Sequence, residues 1–313
     1  MIIELIDEAI EYGALAHRAL ESAGGDKLVQ IAEQEPHRRE QIIVPVLAEL
    51  GAWDLEPHDS VDDLEAAAAL CRSVGYWVVA YPVAERLCRR PGLGTDGLVV
   101  IPDLNPAAAI AGLDLRWSAV TMDGRRSLAT PRPSEIAPRK SAFVTDLDLH
   151  PVDTDGAKDL ALGLVLPCWT LLGMLDRAVA LTCSYVLDRQ QFGKPLATLQ
   201  SVQFQMTDAE VERAGVEELA KYALWSIETE REEAIDDALA LRLAAVEAAE
   251  TVFRIAHQLH GAIGFCDETT LSWVSRYSVP LRRLPFGVSA TRHELTSQLG
   301  RRTLSGLFSG MAG

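Results

Sequence analysis

Positive charge is scarce in this chain: 29 lysines and arginines stand against 45 aspartates and glutamates, a formal net charge of −16. A surface of that sign repels phosphate backbones, which excludes nucleic acid as a partner class. Paired cysteines are also lacking. Cys71, Cys88, Cys168, Cys183 and Cys266 are scattered without a CxxC, so a disulfide frame and a zinc site are excluded and buried free thiols in a reducing compartment are expected. No uncharged run spans a bilayer comfortably. The longest, Leu160 to Leu175, contains Pro167 and is bracketed by Asp159 and Asp176; it reads as a buried core helix, with no membrane partner. Glu4, Asp7 and Glu8 interrupt the N-terminus, against a signal peptide, and a cytoplasmic protein is expected. Internal repeats and low-complexity tracts are absent.

What is present is a globular composition. With 313 residues, 48% of them hydrophobic, the chain has enough apolar material for a substantial core and length for two or three domains. Residues 1 to about 90 read as helical. "LIDEAIEYGALAHRALES" and "REQIIVPVLAELGAW" repeat apolar residues at three- and four-residue spacing, and Ser60 followed by Asp62 and Asp63 predicts a capped helix start. "RRPGLGTDG" (89–97) is a turn-rich linker. "LVVIPDL", "DLRWSAVTM" and "SAFVTDLDL" are short β-branched or alternating runs, which predict strands between about 98 and 152. Helices then return at about 159–190, 197–230 and 233–260, with a last one at 289–310. The expected fold is mainly α with a small β domain: an N-terminal helical domain (1–92), a reduced middle β domain (93–156) and a C-terminal helical bundle (157–313) of antiparallel helices joined near 193, 232 and 261.

Two of those joints carry chemistry. "DRQQFGKPLATLQ" (188–200) places Arg189 and Lys194 at the end of a long helix, with Gly193 as a helix-stopping glycine and Pro195 preventing a restart. Complementing the negative end of a helix dipole accounts for both cations without any ligand. "HQLHGAIGF" (257–265) ends another long helix with Gln258, His260, Gly261 and Gly264. An arginine corner and a glycine corner together suit a diphosphate: a guanidinium fork for charge, backbone N–H groups for oxygens, and amides for the adjoining ribose or base. His257 and His260 taken singly read as structural histidines.

These two strips, in order and some sixty residues apart, resemble the C-terminal domain of the acyl-CoA dehydrogenases. The resemblance implies flavoenzymes that form α,β-enoyl-CoA, with a carboxylate removing the α-proton while the β-hydrogen passes as hydride to FAD. It implies that the two strips grip the adenosine and pyrophosphate part of a neighbouring subunit's FAD. By residue-for-residue similarity the cofactor-binding set is Arg189, Gln191, Phe192, Gln200, Gln258, His260 and Gly261. Ala262 stands where the family usually has a second glycine.

The catalytic residues that the resemblance would require are missing. The family's base follows an arginine-bearing helix, but here Pro285 and Phe286 precede Gly287, and the alternative family position falls near Gly163. None of these can accept a proton. Asp159 and Asp176 lie nearby in sequence and read as capping or solvated-end residues. The flavin-ring segments of the middle domain are also absent; Trp117–Ser118 is a poor substitute. The chain is therefore similar to the short, base-less β subunits of α2β2 acyl-CoA dehydrogenases of steroid-degrading bacteria. That similarity implies a longer catalytic partner holding most of the acyl-CoA, a steroid or cholesterol catabolite as substrate, and an electron-transfer flavoprotein as electron acceptor. Two other readings stay open: a helical scaffold without flavin, and a self-sufficient flavoenzyme using Glu294 or Asp267, the first of which has Arg292 as a neighbouring ion-pair partner.

Overall fold

The computed structural model describes residues 4–133, 138–191 and 193–301. Five helices open the chain: α1 (Asp7–Ala23), α2 (Lys27–Gln34), α3 (Arg38–Glu49), α4 (Val61–Tyr76) and α5 (Val83–Leu87). Ser60 caps α4 as expected, its hydroxyl accepting from the Asp63 N–H at 3.2 Å. The helical stretch 60–88 is broken, however. Val78 sits at φ 52°, a conformation a β-branched residue enters only when packing compels it, and here its side chain is buried at the start of a connector that turns the chain into α5.

A five-stranded sheet follows: β1 (Gly97–Val100), β2 (Ala107–Ala108), β3 (Trp117–Val120), β4 (Arg125–Pro131) and β5 (Thr145–Asp155), with the short helix α6 (Pro138–Ser141) before β5. The spatial order is β1-β3-β4-β5-β2. The β1–β3 pair is parallel, the others antiparallel, with Ala119 opposite Ser127 and Leu128 opposite His150.

The C-terminal part is a bundle built around α7 (Ala157–Asp188). A tight hairpin, β6 (Gln190–Gln191) and β7 (Lys194–Pro195), and a 3₁₀ turn (Leu196–Thr198) lead into α8 (Gln200–Glu228). Then come α9 (Ala234–His260), a 3₁₀ turn (Gly261–Phe265), α10 (Thr270–Tyr277), α11 (Val279–Arg283) and α12 (Val288–Arg301), which packs on α9. The last helix was expected to reach 310; residues beyond 301 lie outside those described. The chain has the mainly helical architecture with a small sheet that its sequence predicts. One continuous hydrophobic core runs from Leu20 and Leu47 through Trp117 and Ile110 to Trp169 and Phe253.

α7 is long and apolar enough to cross a membrane by length and composition, but Leu160, Leu164, Leu166, Trp169 and Leu172 are sealed in this core. Its Asp159 and Asp176 are not a cap and a solvated end. Asp159 is fully buried against Arg126 and Arg90. Asp176 lies mid-helix in a network with Arg72 of α4 (2.7 Å) and Arg213 of α8 (3.1 Å), which also hold Glu217. The thiols also differ from expectation: Cys71, Cys88 and Cys168 are buried, whereas Cys183 and Cys266 are exposed, because they fall on the outward side of α7 and in the turn after α9.

Candidate functional site

The chain reverses between α7 and α8 and again between α8 and α9. The C-terminal ends of α7 and α9 and the N-terminal end of α8 therefore share one end of the bundle, and both sequence strips meet there. Tyr185, one turn before the end of α7, joins them directly. Its ring stacks on His260 with centroids 4.3 Å apart, and its hydroxyl donates to the His260 carbonyl at 3.4 Å.

The first strip differs from its expected local form. α7 stops at Arg189 because that residue is extended (φ −72°, ψ 118°). Gly193 does not stop the helix. It turns the β6–β7 hairpin at φ 76°, which pairs Gln191 with Lys194 and Gln190 with Pro195. The hairpin presents Arg189, Gln191 and Lys194 to solvent. Neither Arg189 nor Lys194 has an acidic partner among the described residues, whereas Arg72, Arg90, Arg126, Arg177, Arg213 and Arg276 are all ion-paired. Phe192 lies outside the described residues.

Gln200 opens α8. Leu199, at the N-cap, provides no side-chain hydrogen bond, so the positive end of a 29-residue helix faces this region uncapped by any side chain. The second strip contributes Gln258, exposed, and Gly261, exposed at φ 66° with nothing within 4 Å of the position a Cβ would take. His260 lies inward of the exposed residues of this strip. Its ring is buried, with Nδ1 against the Ala256 carbonyl at 2.8 Å, and burial holds its pKa below the usual imidazole value. Its ring packs the helix end against Tyr185. Nearby His257 is likewise shifted down by burial and stacks on exposed Phe265 at 4.2 Å.

This end of the bundle fits the diphosphate and adenosine parts of a dinucleotide. Two cations unpaired among the described residues and a helix N-terminus supply positive potential, three exposed glutamines supply amide groups, and the Gly261 backbone is open to close approach. Large apolar side chains lie exposed around it: Leu187, Phe204, Ile263 and Phe265.

A second feature lies where the helical, sheet and bundle parts join. A cavity of about 110 Å³ is bounded by α5, β1, β2, α7, α9 and the α10–α11 region. Gly163 and Pro285, the two positions examined for a base, both line it. At Gly163 a Cβ would meet a Val100 methyl at 2.6 Å, so β1 closes that position to any larger side chain. Glu294, Asp267, Asp159 and Asp176 are not among its lining residues. Arg292 pairs with Glu247 rather than Glu294, which instead accepts from Gln298 at 3.0 Å. Asp267 is held below the usual carboxylate range by its hydrogen bond from Arg276, with Arg139 adding to this. Sequence reasoning overlooked Glu85 of α5, a residue of the cavity wall whose carboxyl is pushed up to about 6 by burial.

Residues 158–292 match the family model described as "Acyl-CoA dehydrogenase, C-terminal domain". That match lies in the C-terminal bundle and covers less than half of the chain. Among curated relatives is "Acyl-CoA dehydrogenase FadE28" of Mycobacterium tuberculosis, 32% identical over 148 residues, covering 46% of this chain and 43% of the relative. The match thus spans less than half of that relative's length. Among solved structures, a chain described as "Tcur3481-Tcur3483 steroid ACAD G363A variant" superposes with a TM-score of 0.78 at 19% identity, covering 95% of this chain and 99% of that one. A chain of the ChsE4–ChsE5 complex from Mycobacterium tuberculosis does so at 0.73 and 15%, covering 97% and 100%. At such identities these likenesses show the fold, and the fold is that of the acyl-CoA dehydrogenases across the helical, sheet and bundle parts alike.

Proposed function

We propose that this chain is a subunit of a heteromeric, FAD-dependent acyl-CoA dehydrogenase. It lends a diphosphate clamp to FAD held chiefly by a longer catalytic partner in an α2β2 assembly. The observation that carries this reading is the convergence of the Arg189 hairpin and the Gln258–Gly261 turn on one bundle end, with Arg189 and Lys194 left without acidic partners among the described residues. Within the clamp, Arg189 neutralises the diphosphate, the Gly261 backbone approaches it, and Gln191, Gln200 and Gln258 hydrogen-bond the neighbouring ribose or adenine, with Phe192 on the same strip. FAD, when bound, supplies the hydride acceptor.

The proton acceptor belongs to the partner. Gly163 and Pro285 offer no carboxylate, and β1 leaves no room for one at Gly163. The apolar rim of Leu187, Phe204, Ile263 and Phe265 supports a protein covering this end, since apolar patches ringed by polar groups mark contact surfaces. The substrate is a CoA thioester, bound mainly by the partner. The likeness to a chain titled as a steroid ACAD supports a steroid-derived acyl group. An electron-transfer flavoprotein takes the electrons, and the assembly works in the cytoplasm.

The test is Arg189→Ala in the chain co-expressed with its partner. Loss of one charge-assisted contact, about 1.5–3 kcal/mol, weakens FAD roughly ten- to a hundredfold, so the purified complex should lose flavin absorbance while remaining assembled. Unchanged flavin content and turnover would remove the clamp from the account. A stable, colourless wild-type complex would make the bundle end a docking surface only.

A further inference from the structure

Glycine inside a helix needs a reason, because it frees the unfolded chain and disfavours the helix. At four positions in this protein the reason is a close neighbour. A Cβ at Gly13 would lie 3.0 Å from that of Ala69, one at Gly163 would meet a Val100 methyl, and Gly75 and Gly173 would each strike a carbonyl oxygen of the facing helix. Gly215, in the middle of the 29-residue α8, is different: nothing lies within 4 Å of the position its Cβ would take.

Gly215 is exposed, and so are Val211 (64%) one turn before it and Leu219 (38%) one turn after it. Phe204 (60%) continues the same stripe towards the bundle end. At 3.6 residues per turn all four share one face of α8, a seam roughly 22 Å long with a bare backbone near its middle. Acids edge it. Glu212 and Glu218 stand on its two sides and Asp208 lies along it, all exposed. The two cations of α8 point elsewhere: Arg213 pairs with Asp176 and Glu217, and Lys221 is buried with Glu4 and Glu218. Asp208 and Glu212 have no cationic partner among the described residues.

These charges select the occupant. A second copy of this chain is a poor fit, because its own acids would meet these whichever way its α8 ran across the seam. A helix of another chain fits if it brings positive charge. Its backbone can come close at Gly215, as those of α4 and α7 do at Gly75 and Gly173. We propose that the α8 seam docks a helix of the catalytic partner, one that carries lysine or arginine on both sides of an apolar stripe and crosses α8 at Gly215. The contact rests on the heteromeric assembly proposed above, but Val211, Glu212, Gly215 and Leu219 take no part in the diphosphate clamp.

The experiment measures assembly of the full-length chain with its catalytic partner by sedimentation velocity, at low and at high salt, for wild type, Gly215→Leu and Glu212→Lys. Gly215→Leu fills the crossing point and should weaken assembly at least about tenfold, the effect of overfilling a close contact. As an isolated chain the same variant should melt no lower than wild type, since open space surrounds the position and leucine favours helix; that separates lost docking from lost folding. Glu212→Lys should weaken assembly roughly fivefold at low salt and little at high salt. Where complexes still form, flavin per complex should equal that of wild type. Assembly indifferent to Gly215→Leu, or tightened by Glu212→Lys, would overturn the α8 contact and leave the clamp standing. Self-association of the isolated wild-type chain that Gly215→Leu disperses would also overturn it, by making a second copy the occupant. A wild-type chain that joins no catalytic partner would overturn the heteromeric reading, and this contact with it.

Discussion

At Asp159 a carboxylate fully sealed from water meets Arg126 of β4, also buried, and Arg90, with His58 3.9 Å away. His58 is kept below the usual imidazole pKa by burial, and its Nε2 lies 3.0 Å from the Cys88 carbonyl. The charge balance therefore rests on the arginines. Replacing one member of such a buried group strands the other charges: Asp159→Asn should cost about 3–5 kcal/mol, read as a lower denaturant midpoint. Unaltered stability would mean that the arginines reach water when released. A different pair sets a pH dependence. Glu228, at the end of α8, has its pKa raised to about 7 by burial and by Glu65 of α4, whose own carboxyl burial also raises against the pull of the Ile6 N–H. A folded pKa above the unfolded carboxylate value means the folded state holds the proton more tightly. That contribution is complete below the unfolded pKa, about 4.3 for a glutamate, and is lost as pH rises through about 7. Glu228→Gln cannot make that loss, so its melting temperature should match wild type near pH 5 and exceed it at pH 8. Parallel melting curves across that range would contradict this.

Between elements, the closest contact is the crossing of α4 and α7. A Cβ on Gly75 would lie 1.9 Å from the Thr170 carbonyl oxygen, and one on Gly173 would lie 1.9 Å from the Arg72 carbonyl oxygen. The two helices touch backbone to backbone through these glycines. Alanine would gain about 1 kcal/mol of helix propensity, but prying the helices apart costs roughly 1–3 kcal/mol or more, and a backbone atom cannot move aside as a side chain can. Gly173→Ala should therefore destabilise, and a stabilised variant would show that the crossing is looser than described. The long helices were legible because apolar residues repeat at helical spacing over many turns, and Ser60 marked one start correctly. β4 was not, because Arg125, Arg126 and Pro131 disguise a strand whose outer face is wet. The β6–β7 hairpin was hidden because Gly193 serves a helix stop and a tight turn equally well. The break at Val78 has no glycine or proline of its own and follows from packing.

For the whole molecule, the proposed function divides the labour of the reaction between two chains. The strips at 189–200 and 258–261 could be read from the sequence because they are local motifs, and the structure adds that both sit at one end of the bundle, joined through Tyr185 and His260. The burial of Asp159 and the cavity position of Glu85 depend on residues scattered from α4 to α11, and no local pattern marks either. His260 looked like part of the strip because its place in the motif matches, but the turn of α9 points its ring inward. The measurement that bears most directly on the central claim is the structure of this chain assembled with its catalytic partner and loaded with FAD. The account predicts the Arg189 guanidinium within hydrogen-bonding reach of the diphosphate, Gly261 beside it, and a carboxylate of the partner against the substrate's α-carbon. A nucleotide tail that touches neither the hairpin nor the Gly261 turn, or a carboxylate from this chain at the α-carbon, would contradict it.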